Sequence, residues 1–237
     1  MYSGAGIYTL SQAARLIHAP AQTISRWIFG YTYSKLVDGE RQHHFSDSLW
    51  QPEYELGEFS EKVLGFRDLL ELRVVREFVN HGVPLLVVRR CLEAAKAMYD
   101  TPYPMTAHRF ATDGRTIFLQ VLSEGEDREM VDLRQRQLVF GDIIKPSLYR
   151  GIEYEDGYAR RWYPEAGRRK NIVLDPSQQF GTPIVADGGV PTEAIFSNYC
   201  AEGGDKAAIG VVARIFDLQV KAVEAAVSFE SKLRLAA

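Results

Sequence analysis

Apolar positions recur at helical spacing near the start of the chain. From Thr9 to Phe29 they predict two short helices, the first with Ala13, Ala14 and Ile17 on one face, the second with Ile24, Trp27 and Ile28 on one face, separated by Pro20. Thr9 and Ser11 each offer a hydroxyl that can cap the first helix by accepting from a free amide. The runs Tyr31 to Val37 and Glu40 to Phe45 favour strand. Between them Asp38-Gly39 supplies the positive-φ pair of a two-residue hairpin. An acidic linker begins at Trp50 and ends near Lys62. Leu69, Leu72, Val75, Phe78 and Val79 then mark a helix from Leu64 to His81, stopped by Gly82, and Val83 to Met98 restarts as a helix with Pro84 in its first turn.

The middle of the chain changes character. Asp113-Gly114 and Asp156-Gly157 each sit between runs rich in strand formers: Arg109 to Thr112 with Arg115 to Leu122, and Tyr149 to Glu155 with Tyr158 to Tyr163. These predict two hairpins in a small antiparallel sheet. The short basic run Gly167 to Lys170 marks a boundary. Beyond it the pattern gives strands at Ile172 to Leu174 and Pro183 to Val185, then helices at Thr192 to Ala201, Lys206 to Ile215 and Gln219 to Leu233, with Asp205 and Asp217 placed as caps. The expected fold class is therefore α+β: an N-terminal winged helix-turn-helix with a two-helix extension over 1–98, a β-rich middle over 99–170, and a C-terminal three-helix domain over 171–237.

Composition keeps this picture within the folded soluble class, since charged residues make up 25% and the hydrophobic class 46% of 237 residues. No apolar run approaches the roughly 20 residues that span a bilayer, and Met1 to Leu10 lacks a secretory pattern, so a cytoplasmic protein without membrane contact is expected. Cys91 and Cys200 are too few and too far apart for a disulfide framework and are expected as buried thiols. The net charge of -3 argues against a protein that coats nucleic acid nonspecifically. Its distribution matters more: residues 1–50 carry four basic side chains against three acidic, whereas residues 171–237 carry five against eight. That sign difference favours DNA at the front and another partner at the back.

Helix, tight turn, helix and hairpin, in that order, are the parts of a winged helix whose second helix enters the major groove. With Ile24, Trp27 and Ile28 turned inward, Gln22, Ser25 and Arg26 face outward and Thr23 lies at the edge. These side chains suit base edges or phosphates, while Lys35, Arg41 and His43 on the hairpin can reach flanking phosphates. The stretch Tyr8-Thr9-Leu10-Ser11-Gln12-Ala13-Ala14-Arg15-Leu16-Ile17 resembles the opening helix of the MerR-type winged helix. Thr23-Ile24-Ser25-Arg26-Trp27 resembles its recognition helix, and Asp38-Gly39-Glu40-Arg41 its wing.

At the other end, Ile172 to Pro176, Phe180 to Val185, Gly189 to Ile195 and Glu202 to Asp205, with the closing helix, resemble a three-helix domain found in bacterial antitoxin-like proteins. The whole chain is thus similar to a VapB-type antitoxin of the two-domain sort. That resemblance implies operator DNA and a cognate VapC-type ribonuclease toxin as partners, with autorepression of the operon. A homodimer is expected because one winged helix covers only a half-site, and the apolar faces of Leu64 to His81 and Val220 to Leu233 are the surfaces offered for it. The alternative is a stand-alone MerR-like regulator whose middle segment binds an effector, with the aromatic set Tyr154, Tyr158, Trp162 and Tyr163 either core or pocket. No Gly-rich phosphate loop, HExxH or Gly-x-Ser-x-Gly appears, so no enzyme activity, cofactor or metal is expected. His43 and His44 are adjacent on a strand and face opposite ways, which disfavours a shared ion.

Overall fold

The computed structural model describes residues 5–125, 149–165 and 170–235. The chain divides into an N-terminal unit, Thr9–Leu148, and a C-terminal unit in which Met1–Tyr8 joins Tyr149–Ala237. Helices and small antiparallel sheets make up the described residues, an α+β arrangement.

In the N-terminal unit, α1 (Leu10–Ile17) starts at Thr9, whose hydroxyl accepts from the Gln12 amide at 3.2 Å while the Gln12 side chain accepts from the Thr9 amide at 2.9 Å. It ends at His18, which takes the left-handed conformation at φ +52°. Pro20 stands immediately before α2 (Ala21–Phe29), where its missing N–H costs nothing. Strands β1 (Tyr31–Val37) and β2 (Glu40–Ser46) pair antiparallel with Lys35 opposite Gln42 and Leu36 opposite Arg41. Their turn residues Asp38 and Gly39 both have positive φ, +52° and +84°. Two longer helices follow, α3 (Phe66–Asn80) and α4 (Leu85–Tyr99), the second beginning just after Pro84.

The expected first hairpin of the middle segment is wrong. Phe110–Glu124 forms one helix, α5, with Phe110, Gly114, Ile117, Phe118, Val121 and Leu122 buried along one face. Their spacing of four, three, one, three and one is helical and runs straight through Asp113-Gly114. The pair therefore acts as helix interior, where a glycine costs about 1 kcal/mol relative to alanine. Burial of the longer stripe outweighs the local preference of Asp-Gly for a turn. The β-rich middle thus shrinks, among the described residues, to the second hairpin.

That hairpin opens the described part of the C-terminal unit as β3 (Ile152–Glu155) and β4 (Tyr158–Trp162), with Asp156 and Gly157 again at φ +52° and +84°. Trp162 is core, Tyr154 and Tyr163 are half-buried, and Tyr158 is exposed. The Trp162 amide donates to the Leu174 carbonyl at 3.0 Å and the Leu174 amide returns a bond at 2.8 Å. This leads into β5 (Ile172–Val173) and β6 (Ile184–Val185), which pair antiparallel. The boundary run Gly167 to Lys170 lies, apart from Lys170, outside the described residues. Beneath β5 the buried Asp175 accepts from Arg161 Nε at 2.6 Å, from the Ser177 amide at 2.9 Å and from Gln178 Nε2 at 3.2 Å. Burial pushes its carboxyl up, but the bonds from Ser177 and Arg161 outweigh this and hold it below the usual carboxylate range.

Helices α6 (Thr192–Ala201), α7 (Lys206–Ile215) and α8 (Val220–Leu235) close the unit. Asp205 caps α7 by accepting from the Ala207 and Ala208 amides at 2.8 and 2.9 Å, while Asp217 sits at φ +53° in the turn before α8. The start of the chain belongs here too: Tyr8 donates its hydroxyl to the Gly181 carbonyl at 2.7 Å. Gly181 has φ +82°, and a Cβ there would lie 2.3 Å from that hydroxyl, so only glycine fits.

Two further expectations need correction. Cys91 is buried, its thiol pushed up to about 12 by burial, but Cys200 is exposed on α6. The apolar stripes of α3 and α8, offered above as dimer surfaces, are spent inside the chain: Leu69, Leu72, Val75 and Phe78, and likewise Val223, Ala226, Phe229 and Leu233, are buried. No helix among the described residues is long and apolar enough to cross a membrane.

The core of the N-terminal unit contains a fully buried acid, Glu71 on α3. It accepts from the Met105 amide at 2.9 Å, the Thr106 amide at 3.0 Å and the Thr106 hydroxyl at 2.9 Å. Burial pushes its carboxyl up to about 8, against these bonds, which favour the ionised form. The neutral acid is also accommodated, since it can donate to Thr106 Oγ1 while that hydroxyl turns to the Tyr103 carbonyl, 3.4 Å away. A raised folded pKa means the folded chain holds this proton more tightly than the unfolded chain. Its contribution to stability is full below the ordinary glutamate range and is lost as pH rises through about 8. Melting curves from pH 5 to 9 should therefore fall with pH, by at most about 1.4 kcal/mol per unit for one proton, and level off above that range. Glu71→Gln should flatten this slope; an equal slope in both proteins would contradict the assignment.

Candidate nucleic-acid interface

Helix α2 is amphipathic, and the split decides which side chains can meet a ligand. Ile24, Trp27 and Ile28 are buried, Gln22 and Arg26 are exposed, and Thr23 and Ser25 are half-buried. Gln22, Ser25, Arg26 and Phe29 follow the i, i+3, i+4, i+7 spacing of a single stripe. The Arg26 guanidinium sits 5.3 Å from the centre of the Tyr31 ring, so its charge is held in place by an aromatic face rather than by a carboxylate. The Ser25 hydroxyl accepts from Lys62 Nζ at 3.0 Å, and the same ammonium lies 5.1 Å from the Phe29 ring centre.

The hairpin follows α2 through Gly30, where φ is +70° and a Cβ would come within 2.5 Å of the Ser46 carbonyl and 2.7 Å of the Phe45 ring. Only glycine lets β2 return this close. Because side chains alternate along each strand, the cross-strand register separates the three hairpin candidates. Lys35 shares a face with Tyr33 and His44. Arg41 and His43 share the other with Leu36 and Phe45. Almost every hairpin position is exposed, Leu36 at 75% and Phe45 at 61% among them. His44 stacks on Tyr33 with ring centres 5.5 Å apart, while His43 points away from it.

The segment after the hairpin is not a free linker. Leu49 donates its amide to the Trp27 carbonyl at 2.8 Å, tying it to α2. Arg89 of α4 donates to the Ser48 carbonyl at 2.6 Å and to the Asp47 carbonyl at 2.8 Å. Asp68, fully buried on α3, accepts from Trp50 Nε1 at 2.8 Å, the Glu53 amide at 3.0 Å and the Gly65 amide at 2.9 Å. Burial pushes the Asp68 carboxyl above its ordinary range, against the opposing pull of those three donors. Residues 47–53 thus strap α2 and the hairpin to the helix pair α3–α4.

The expected site residues therefore fall into three groups. Gln22, Thr23, Ser25 and Arg26 come together on α2, Lys35 stands on one hairpin face, and Arg41 with His43 stands on the other. Sequence reasoning missed Lys62, hidden among Glu53, Glu55, Glu58 and Glu61 in a stretch that looks like an acidic spacer. It also missed Tyr31, Asp68 and Arg89, which hold the exposed residues in place.

No known protein-family model matches the chain. A Mycobacterium tuberculosis protein named "Putative antitoxin VapB45" is 26% identical over 197 residues, covering 78% of this chain and 78% of that protein. The crystal structure of Rv2018, also from Mycobacterium tuberculosis, superposes with a TM-score of 0.69 at 22% identity, covering 95% of this chain and 99% of that one. The chain shares the fold of that structure.

Removing Asp68 would leave the buried donors of Trp50, Gly65 and Glu53 without an acceptor. Asp68→Ala should cost about 3 kcal/mol or more in urea denaturation. Arg89→Ala should cost about 1 kcal/mol, because the carbonyls it frees can turn to water. Equal costs for the two would contradict the strap described here.

Proposed function

We propose that this chain is the antitoxin of a toxin–antitoxin pair, a non-enzymatic protein that binds the operator of its own operon through α2 and the β1–β2 hairpin and neutralises a cognate VapC-type ribonuclease. The observation that carries the DNA-binding half is the stripe on α2. Its backbone is tied at the Trp27 carbonyl to the strap that leads to α3–α4, and Gln22 and Arg26 are exposed on a nine-residue helix beside an exposed hairpin. This supports reading the region as a winged helix-turn-helix, in which the helix takes the major groove and the hairpin follows the backbone. The antitoxin half is supported by the name of the relative that matches 78% of the chain.

In this reading Arg26 and Gln22 read base edges, Thr23 packs at the groove wall, and Lys35, Arg41 and His43 approach phosphates from the two faces of the hairpin. A homodimer places two such modules on successive half-sites and so gives the operator its symmetry. Residues from about 171 onward, acidic on balance, face the toxin, where potential complementary to a basic nuclease speeds association.

Arg26→Ala should weaken the operator complex by about 1–3 kcal/mol and reduce discrimination against random duplex. Lys35→Ala and Arg41→Ala should weaken both duplexes alike, each lowering the salt slope by about 0.9. Titrations at several salt concentrations separate the two patterns, and unchanged binding in all three variants would remove α2 and the hairpin from the mechanism.

Co-expression of the full chain with the ribonuclease encoded beside it should yield a stable complex and restore growth. Recovery of the chain alone, with growth still arrested, would contradict the antitoxin assignment.

A further inference from the structure

Cations of this chain are held either by carboxylates or by neutral groups. Lys170 bonds Glu153 at 2.7 Å while lying 4.5 Å from the Tyr163 ring centre, Lys232 bonds Glu165, and Arg161 bonds Asp175, so each of these three charges meets a carboxylate. On the α2 stripe the partners are neutral. Arg26 lies over a tyrosine ring, Lys62 is bonded to a serine hydroxyl and lies over a phenylalanine ring, and neither forms an ion pair among the described residues. A cation oriented by neutral groups keeps its charge available to an incoming anion, and a lysine ammonium with three donors has used one here.

The backbone that presents Lys62 is also fixed. Val63 and Leu64, directly after it, are buried, and the Gly65 amide is held by Asp68. Lys62 therefore stands at a fixed place beside the exposed stripe, although it belongs to neither α2 nor the hairpin.

We propose that Lys62 is the seat of a DNA backbone phosphate, and that Ser25 is its positioning residue and not a reader of bases. The inference rests on the DNA-binding reading above. Ser25 Oγ accepts a hydrogen bond from Lys62 Nζ and lies at the half-buried edge of the stripe, four residues before Phe29, so the hydroxyl and the ring together aim the ammonium along the flank of α2. A phosphate contact carries no sequence information, whereas a base contact does, so the two roles for Ser25 give different signatures.

The test uses the full chain, with fluorescence anisotropy on an operator duplex and a random duplex at four salt concentrations. Thermal melting confirms that each variant is folded. Lys62→Ala should lose about threefold to tenfold in affinity for both duplexes equally and lower the salt slope by about 0.9. Ser25→Ala should show the same pattern at smaller amplitude, and the double variant should be no weaker than Lys62→Ala alone. Lys62→Arg should recover most of the loss.

Ser25→Ala relaxing the preference for operator, or Lys62→Ala leaving affinity and slope unchanged, would overturn the proposal. If Arg26→Ala loses specificity while Lys62→Ala has no effect, only the phosphate seat fails. If neither variant changes binding, the DNA-binding reading fails with it.

Discussion

The carboxylate of Asp68 gathers three donors from two stretches of chain, and the placement of α2 depends on it. Trp50 and Glu53 arrive from the segment after the hairpin, and Gly65 comes from the turn that starts α3. Burying an acid is unfavourable unless its lone pairs are satisfied, and this site satisfies them with fixed groups. The consequence travels outward: Trp50 held on α3 brings Leu49 to the Trp27 carbonyl, and Arg89 catches the carbonyls just before it. A nine-residue helix such as α2 is marginal by itself, so its orientation is set by these attachments and by the burial of Ile24, Trp27 and Ile28.

Charge is compensated differently at the α2 stripe and on the surface of the C-terminal unit. The N-terminal unit buries two acids, Asp68 and Glu71, among backbone and side-chain donors and leaves the cations of the α2 stripe on neutral partners. The C-terminal unit pairs cation with carboxylate repeatedly on its surface. Exposed pairs of that kind add little stability, and they also cancel charge. A net charge of -3 is therefore compatible with a local surface suited to phosphate, because the relevant charge is the fraction left uncompensated beside α2.

Much of this was legible in the sequence, for identifiable reasons. Of the three expected Asp-Gly hairpins, those at Asp38-Gly39 and Asp156-Gly157 formed, where flanking strand residues and positive-φ pairs agree, and α6 and α7 have the predicted ends. Gly114 misled because a dipeptide rule was set against a stripe that runs from Phe110 to Leu122. Asp68 and Glu71 were discoverable: with Leu72, Val75, Phe78 and Val79 they continue one face of α3, so two acids on an apolar stripe signalled buried, bonded carboxylates. The Ser25–Lys62 contact spans 37 residues and depends on how residues 47–65 are strapped down, which no local pattern records. The separation of Lys35 from Arg41 and His43 was in the alternation of the strands once the register was fixed by the turn.

A sequence-reading surface on α2 and the hairpin is tested most directly by the ratio of specific to nonspecific affinity of the unmodified full chain. Titration of the duplex upstream of its own gene and a shuffled duplex of equal length, at physiological salt, should give a preference of about a thousandfold or more for the first, with both affinities falling steeply as salt rises. Equal affinity for the two duplexes, or no binding to either, would contradict the account.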